Sequence, residues 1–486
     1  MGREEQIISE RKRKIEELKK QGINPYPHKF DKKDSCAECL KSKLGKKVKT
    51  AGRLMIKRDL GKISFSKLQD GSGKIQIVLQ DKKTPEKIKK FFKKYVDTGD
   101  FIGVEGKIFK TKTKETSILV NKVELLTKAI LPLPEKWHGL QDKEDRYRKR
   151  YLDLVMNPDV KKVFEKRTQV VDLIREFLVK KGYIETQTPV LQPIYGGAFA
   201  RPFESKLNAL DIKVYMRVSN ELYLKRLIVG GFEKVFEFSL DFRNEGIDRS
   251  HNPEFMLFEA MTAYDDYKDG MKLIENLTEY VVKKVNGSTK VKYQGEIIDF
   301  KTPWKKITVR DALKKYAKID IDKASDKELK KIIDKQKIEL KAGFERGTVI
   351  NALVEEFCEK NFIQPTILYD YPIETSPLAK PHRNNPKYVE RFEQFVNGFE
   401  IGNNYTELND PQLLLDNWKK QEEEAKKGDE EAQRIDKDFI NALEVGMPPT
   451  CGIAISIDRM IMLLTDQPSI RDVILFPFMK PEEKSK

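Results

Sequence analysis

Phe242-Arg243-Asn244-Glu245-Gly246, a short polar loop, and then His251-Asn252-Pro253-Glu254-Phe255 leading into an apolar run to Met261 decide how this chain is read. An arginine and a glutamate two residues apart, followed by a returning apolar segment, suit a nucleotide held by two antiparallel strands. Side chains on a strand alternate between its faces. Arg243 and Glu245 are therefore expected on one face, and Phe255, Leu257, Glu259 and Met261 on one face of the return strand. An arginine fork neutralises a phosphate. A glutamate accepts from an adenine amino group, and a phenylalanine ring stacks beneath the base.

Working outward, 486 residues are enough for two or more domains with substantial cores. The formal charge of +16 is unevenly spread: residues 1–130 hold 34 Lys and Arg against 17 Asp and Glu, and the remainder 59 against 60. A positive field concentrated in one quarter of the chain favours a polyanionic partner. No apolar run approaches the roughly 18 residues of a membrane span, and Met1 to Ser9 lacks the apolar centre of a signal peptide. The expectation is a cytoplasmic protein with no membrane partner. Four cysteines argue against a disulfide scaffold, and Cys36 and Cys39 form a lone C-x-x-C without the second pair that a zinc site needs.

The texture of the chain changes along its length. Residues 1–46 read as a basic helical extension, with Ile7, Ile8, Ile15 and Leu18 spaced among charges until Gly22 and Pro25. Over 47–130 short strands alternate, as where Ile75, Ile77 and Leu79 interleave with Gln76, Val78 and Gln80 after the Asp70-Gly71-Ser72-Gly73 turn. With a helical insert near Lys87 to Tyr95, these strands suggest a small Greek-key barrel of the OB type, a fold that often holds single-stranded nucleic acid. Residues 131–150, with Pro132 and Pro134, read as a linker. The remainder, 151–486, is mixed α+β. It includes helices over Val163 to Lys180 and Glu221 to Val229 and a strand over Val214 to Val218. A Lys- and Asp-rich helical tract at about 311–360 reads as a solvated insertion without chemistry, and Leu413 to Leu443 as charged helix.

Three stretches occur in order over roughly 300 residues. The helix from Val163 runs through Gly182 into Ile184-Glu185-Thr186-Gln187-Thr188-Pro189; the hairpin follows; Ile457-Asp458-Arg459 then precedes the apolar run Met460 to Leu464. They resemble motifs 1, 2 and 3 of class II aminoacyl-tRNA synthetases. More specific stretches resemble the lysyl-tRNA synthetases: Gly196-Gly197-Ala198, Ala200-Arg201-Pro202-Phe203, Glu221-Leu222-Tyr223-Leu224-Lys225-Arg226, and Glu400-Ile401-Gly402-Asn403 with Tyr405-Thr406-Glu407-Leu408-Asn409-Asp410. The fold implied is an OB-type barrel followed by an antiparallel sheet flanked by helices, in a homodimer.

The resemblance implies an activity and a set of residues. ATP would be the co-substrate and Mg²⁺ the cofactor, with L-lysine and tRNA(Lys) as partners. Arg243 would hold the α-phosphate, Glu245 and Phe255 the adenine, and Arg459 the γ-phosphate, with His251 in the same nucleotide site and Glu393 and Glu400 as magnesium ligands. Gly197 and Glu259 would take the α-amino group, and Arg243 and Asn403 the carboxylate. Glu221 and Glu407, with Tyr405, would form the side-chain subsite, where two carboxylates stabilise an ammonium and repel an acidic side chain. In the barrel, Phe65 would stack an anticodon base, and Arg58, Gln76 and Glu115 would read base edges.

The pattern is broken around the substrate. Met261 stands where that family has a tyrosine, Ala454 and Ser456 replace motif 3 glycines, Ser250 replaces an arginine, and Glu204-Ser205-Lys206-Leu207 replaces a stretch with a Thr and two His. Two accounts stay open: a pocket repacked around lysine, or a diverged paralogue with altered amino-acid or acceptor specificity or with tRNA binding alone.

Overall fold

The computed structural model describes residues 2–134, 140, 142–340, 345–376, 378–425 and 435–482. Parts of the expected linker (135–139 and 141), of the 311–360 tract (341–344) and of the 413–443 helix (426–434) lie outside the described residues. The chain divides into two units, Met1–Gln141 and Asp142–Lys486. No helix among the described residues is long and apolar enough to cross a membrane.

In the first unit, strands β1 (Lys47–Asp59), β2 (Ile63–Asp70), β3 (Gly73–Gln80), β4 (Phe101–Lys110) and β5 (Thr116–Thr127) close into a barrel ordered β1-β2-β3-β5-β4. Alternation puts Leu54, Leu68, Ile75, Ile77, Val104 and Ile118 inside. The helix Arg3–Lys20 lays Ile15 and Leu18 against the barrel. It is tied down by Arg11, which donates to the carbonyls of Thr98 at 2.9 Å, Ala129 at 3.1 Å and Leu131 at 2.9 Å. Cys36 and Cys39 belong to the same core. Burial pushes their thiols up to about 12 and about 11, so they are packing groups rather than reactive thiols.

The second unit is built on an eight-stranded sheet in the order Lys305–Thr308, Thr366–Pro372, Tyr388–Val396, Phe399–Thr406, Thr450–Ser456, Glu254–Ala263, Lys234–Phe242, Ile184–Glu185. Inner pairings are antiparallel, and the two outermost are parallel. One face, with Phe236, Phe258, Ala260, Phe392, Ile401, Ile453 and Ile455, packs on the helices Pro158–Lys180, Tyr267–Asn286 and Ile457–Thr465. The alternate residues point the other way and line a cavity.

Local chemistry sets the helix ends. Asp266 caps Tyr267–Asn286 by accepting from Lys268 N, and Gly287 ends that helix with φ of 74°. Ser456 accepts from Arg459 N and caps Ile457–Thr465, so the serine at a motif 3 glycine position has a defined role.

Three expectations need correction. The 311–360 tract is no solvated excursion: the helices Val309–Tyr316, Asp326–Gln336 and Arg346–Phe357 bury Leu313, Leu329, Ile333, Val349, Ile350 and Leu353 in a core shared with Leu368 and Phe395 of the sheet. The 413–443 segment contains two helices, Pro411–Ala425 and Lys437–Val445, whose Leu414, Trp418, Phe439 and Leu443 pack on Leu222, Leu224 and Ile228. In both, widely spaced apolar residues among many charges hide one buried stripe. Finally, part of the proposed linker is helical: Lys143–Arg148 and Arg150–Met156 are anchored by Tyr147 Oη donating to Asp472 at 2.8 Å.

Candidate active site

The cavity encloses about 470 Å³ on the open face of the second unit's sheet, within the usual range for small-ligand sites. Lys234–Phe242 and Glu254–Ala263 form the expected hairpin, in register from Lys234 opposite Thr262 to Phe242 opposite Glu254. The first strand ends one residue before Arg243, correcting the expectation that Arg243 and Glu245 lie on a strand. Arg243 N still bonds the Pro253 carbonyl at 2.9 Å, but Glu245 N turns back to the Arg243 carbonyl at 3.0 Å, so the chain leaves the ladder there. Both side chains nonetheless line the cavity, together with Phe255, Leu257, Glu259 and Met261 from the return strand.

At one end, Arg243, Glu245, His251, Phe255, Glu393, Glu400 and Arg459 come together. The Arg243 guanidinium lies 5.0 Å over the Phe255 ring, and its Nε is buried without a hydrogen-bond partner among the described residues. An entering base would therefore meet an arginine on one face of that ring. Arg459 donates to Glu400 Oε2 at 2.7 Å and to the Glu400 carbonyl at 2.6 Å. Its Nη2 lies 3.5 Å from His251 Nε2, while His251 Nδ1 is 2.8 Å from Asp248 Oδ2. Glu393 accepts from Tyr371 Oη at 2.6 Å and from Arg391. Burial pushes Glu400 above the usual carboxylate range against the pull of Arg459. Glu359 rises to about 7 through burial and then the charges of Glu393, Glu355 and Glu400.

At the other end lie Gly197, Ser219, Glu221, Glu259, Met261, Asn403, Tyr405, Glu407 and Gly452. Gly197 has φ of 91°, and a Cβ there would stand 3.2 Å from that of Glu221, so a side chain would be both strained and crowded. Opposite Met261 in the sheet, Gly452 leaves room for a carboxylate: a Cβ there would fall 2.0 Å from Glu407 Oε1 and 3.1 Å from Met261 Sδ. Burial, then the charges of Asp241 and Glu221, drives Glu259 well above its usual range.

The two carboxylates expected to await an ammonium are not alone. Lys225 Nζ lies 2.5 Å from Glu221 Oε1 and 2.5 Å from Glu407 Oε2. The second contact is an ion pair without hydrogen-bond geometry, and both Glu407 oxygens are buried with no hydrogen-bond donor among the described residues. Burial raises Glu407 to about 8 even beside Lys225.

Several residues that line the cavity or stand behind its wall escaped the sequence reading. Arg391 donates to Asn403 Oδ1 at 2.9 Å, to Ser376 Oγ at 2.5 Å and to Glu393, and lies 4.4 Å over the Tyr371 ring. Its two-residue spacing from Glu393 repeats the Arg-x-Glu signal of the first hairpin. Lys225 carries a second overlooked signal, the Glu-to-Lys spacing of four that brings side chains together on a helix. Asn351 reaches the cavity from the 311–360 tract, where only tertiary folding could bring it.

In the barrel, cross-strand register puts Arg58 opposite Phe65 and Phe65 opposite Val78. Gln76 pairs with Lys67 on one side and Ser117 on the other, and Lys67 forms an ion pair with Glu115. Phe65 is half-buried outside the barrel core. Arg58, Phe65, Gln76 and Glu115 thus share the outer face. Gln76 Nε2 already donates to Ser117 Oγ at 2.9 Å.

Residues 142–480 match the family described as tRNA synthetases class II (D, K and N), and residues 48–126 the OB-fold nucleic acid binding domain. The chain is 49% identical over 484 residues to the lysine–tRNA ligase of Clostridium tetani, covering 98% of this chain and 96% of that protein. It is 50% identical over 487 residues to the one from Clostridium kluyveri, covering 99% and 97%, and 48% identical over 482 residues to that of Thermoanaerobacter pseudethanolicus, covering 98% and 96%. With its OB-type barrel, its antiparallel catalytic sheet and this similarity along almost its whole length, the chain belongs to the lysine–tRNA ligase family of class II tRNA synthetases.

Proposed function

We propose that this chain activates L-lysine with ATP and transfers the lysyl group to the 3′ end of tRNA(Lys). The observation that carries this reading is that one cavity is lined both by Arg243 and Arg459, which suit phosphates, and by Glu221 and Glu407, whose two carboxylates exceed the charge of Lys225 by one.

The lysine carboxylate, held by Arg243 and Asn403, attacks the α-phosphate of ATP. The bond to the leaving pyrophosphate breaks, and a hydroxyl at the tRNA 3′ end then displaces AMP from the lysyl carbonyl. No side-chain nucleophile is needed, so catalysis is orientation and charge neutralisation. Arg243 faces the α-phosphate, Arg459 the γ-phosphate, and Glu245, His251 and Phe255 the adenosine. Gly197 and Glu259 receive the α-amino group. Glu221, Tyr405 and Glu407 receive the side-chain ammonium.

Glu393 and Glu400 fit Mg²⁺: they are hard oxygen donors on the cavity wall, close enough together that Glu359 feels the charge of both. Mg²⁺ is commonly bound by one or two carboxylates with substrate phosphates, whose charge it offsets. A homodimer is supported by exposed apolar residues in and next to the motif 1 segment, among them Val179 (54%), Ile184 (51%) and Leu191 (54%). We assign the protein to the cytoplasm, where its tRNA partner is found. Arg58, Phe65, Gln76 and Glu115 form the proposed anticodon-reading face.

ATP–pyrophosphate exchange across a panel of amino acids tests the reading. Lysine should support the fastest exchange; faster exchange with another amino acid overturns the substrate assignment.

A further inference from the structure

Lys225 is buried at 1% exposure, a cation set behind two carboxylates, Glu221 and Glu407, that line the cavity. Its Nζ bridges Glu221 and Glu407 at 2.5 Å each and lies 5.4 Å over the Tyr405 ring. The bridge follows from two elements: the helix Glu221–Val229 sets Glu221 and Lys225 one turn apart, and the strand Phe399–Thr406 delivers Glu407 just beyond its end. Two carboxylates and one ammonium leave a charge of −1. In a dry subsite such a charge calls for one further cation. Glu407 has the means to meet it, because Oε1 lies over Gly452 with no donor of its own.

We infer that Lys225 is a specificity-determining residue: a resident ammonium that holds the side-chain subsite at one net negative charge, so that a substrate bearing a single side-chain ammonium neutralises it. The inference rests on lysine being the substrate. Without Lys225, two adjacent buried carboxylates could not both stay ionised, and a proton would take its place. The other titratable groups facing this centre are Tyr405 from the same strand, Glu259 from the hairpin and Cys451 from the terminal strand. Burial would lower the Lys225 ammonium, but Glu221 and Glu407 outweigh it and hold it above its usual value. Burial holds Glu407 above its usual value even beside Lys225, so the full negative charge of the subsite is reached as pH rises toward 8.

The test is lysine-dependent ATP–pyrophosphate exchange by the full-length protein between pH 6 and 8, with KM for lysine and for ATP measured separately. In the wild type, KM for lysine should fall several-fold as pH rises. Lys225→Met should flatten that fall to less than twofold and raise the lysine KM at pH 8 at least tenfold, with the ATP KM within twofold. Lys225→Arg, which keeps the charge, should keep the fall. The double variant Lys225→Met with Glu221→Gln leaves Glu407 as the one carboxylate, free to titrate without a like charge beside it, and should recover the pH dependence. If Lys225→Met does not fold, the double variant decides, since removing the uncompensated carboxylate should restore folding too. The inference is overturned if Lys225→Met behaves as wild type, or if the double variant recovers neither pH dependence nor folding. A wild type without lysine-dependent exchange overturns the lysine reading instead.

Discussion

Gly452 is the residue at which one added methyl group has the clearest consequence. Its missing Cβ is the space Glu407 Oε1 occupies, with the sulfur of Met261 beside it. Gly452→Ala should displace the carboxylate, raising KM for lysine more than tenfold while leaving KM for ATP nearly unchanged, as steady-state exchange kinetics would register. Asp241 offers a second test. It is fully buried, neither carboxylate oxygen has a hydrogen-bond donor among the described residues, and burial lifts it to about 6 although Arg243 and Arg217 pull the other way. Because its folded pKa lies above the unfolded value of 3.8, folding favours the protonated form. That contribution is complete below about pH 4 and is lost as pH rises through 6. At pH 8 the ionised carboxylate then costs about 3 kcal/mol. Asp241→Asn should accordingly raise the denaturation midpoint at pH 8 and make little difference near pH 4. A denaturation series across that range checks both the size and the sign.

Among the elements, the helix Ile457–Thr465 carries Arg459 from a start that Ser456 caps. Ser456→Ala should cost about 1 kcal/mol and Ser456→Gly only a few tenths. Urea denaturation separates the two, and equal losses would mean the hydroxyl is not acting as a cap. The hairpin was readable from residue order because period-two alternation predicts which side chains share a face, and Phe255, Leu257, Glu259 and Met261 do line one cavity. Its end was not readable. Nothing local to Arg243 announces that Glu245 N will turn back on the Arg243 carbonyl. The 311–360 tract was misread for a similar reason: a high density of Lys and Asp outweighs a sparse apolar stripe until the helices are seen against the sheet.

At the scale of the whole molecule, the two units have separate cores, and every proposed adenylation residue lies in the second. Deleting Met1–Gln141 should leave lysine-dependent pyrophosphate exchange within a few-fold of the full chain. It should also weaken tRNA binding and flatten its salt dependence, since 35 Lys and Arg leave with that unit. Binding isotherms at several salt concentrations would detect this, and undiminished tRNA affinity would contradict it. Phe65→Ala in the full chain should reproduce part of the loss, as aromatic stacking contributes about 1–3 kcal/mol per base.

Residue order alone carried the three motifs, the strand alternation of the barrel and the hairpin, and the family itself, because these depend on local periodicity and short exact strings. It also singled out Glu221 and Glu407, which the fold brings into one cavity from a helix and a strand nearly two hundred positions apart. What only the tertiary structure decided is the state of charge there. Lys225 looked like one basic residue among many in the string Glu221 to Arg226, and became a buried counter-ion once Glu407 was set against it. Charges interact through space and through the dielectric that packing creates, and neither quantity exists along the chain.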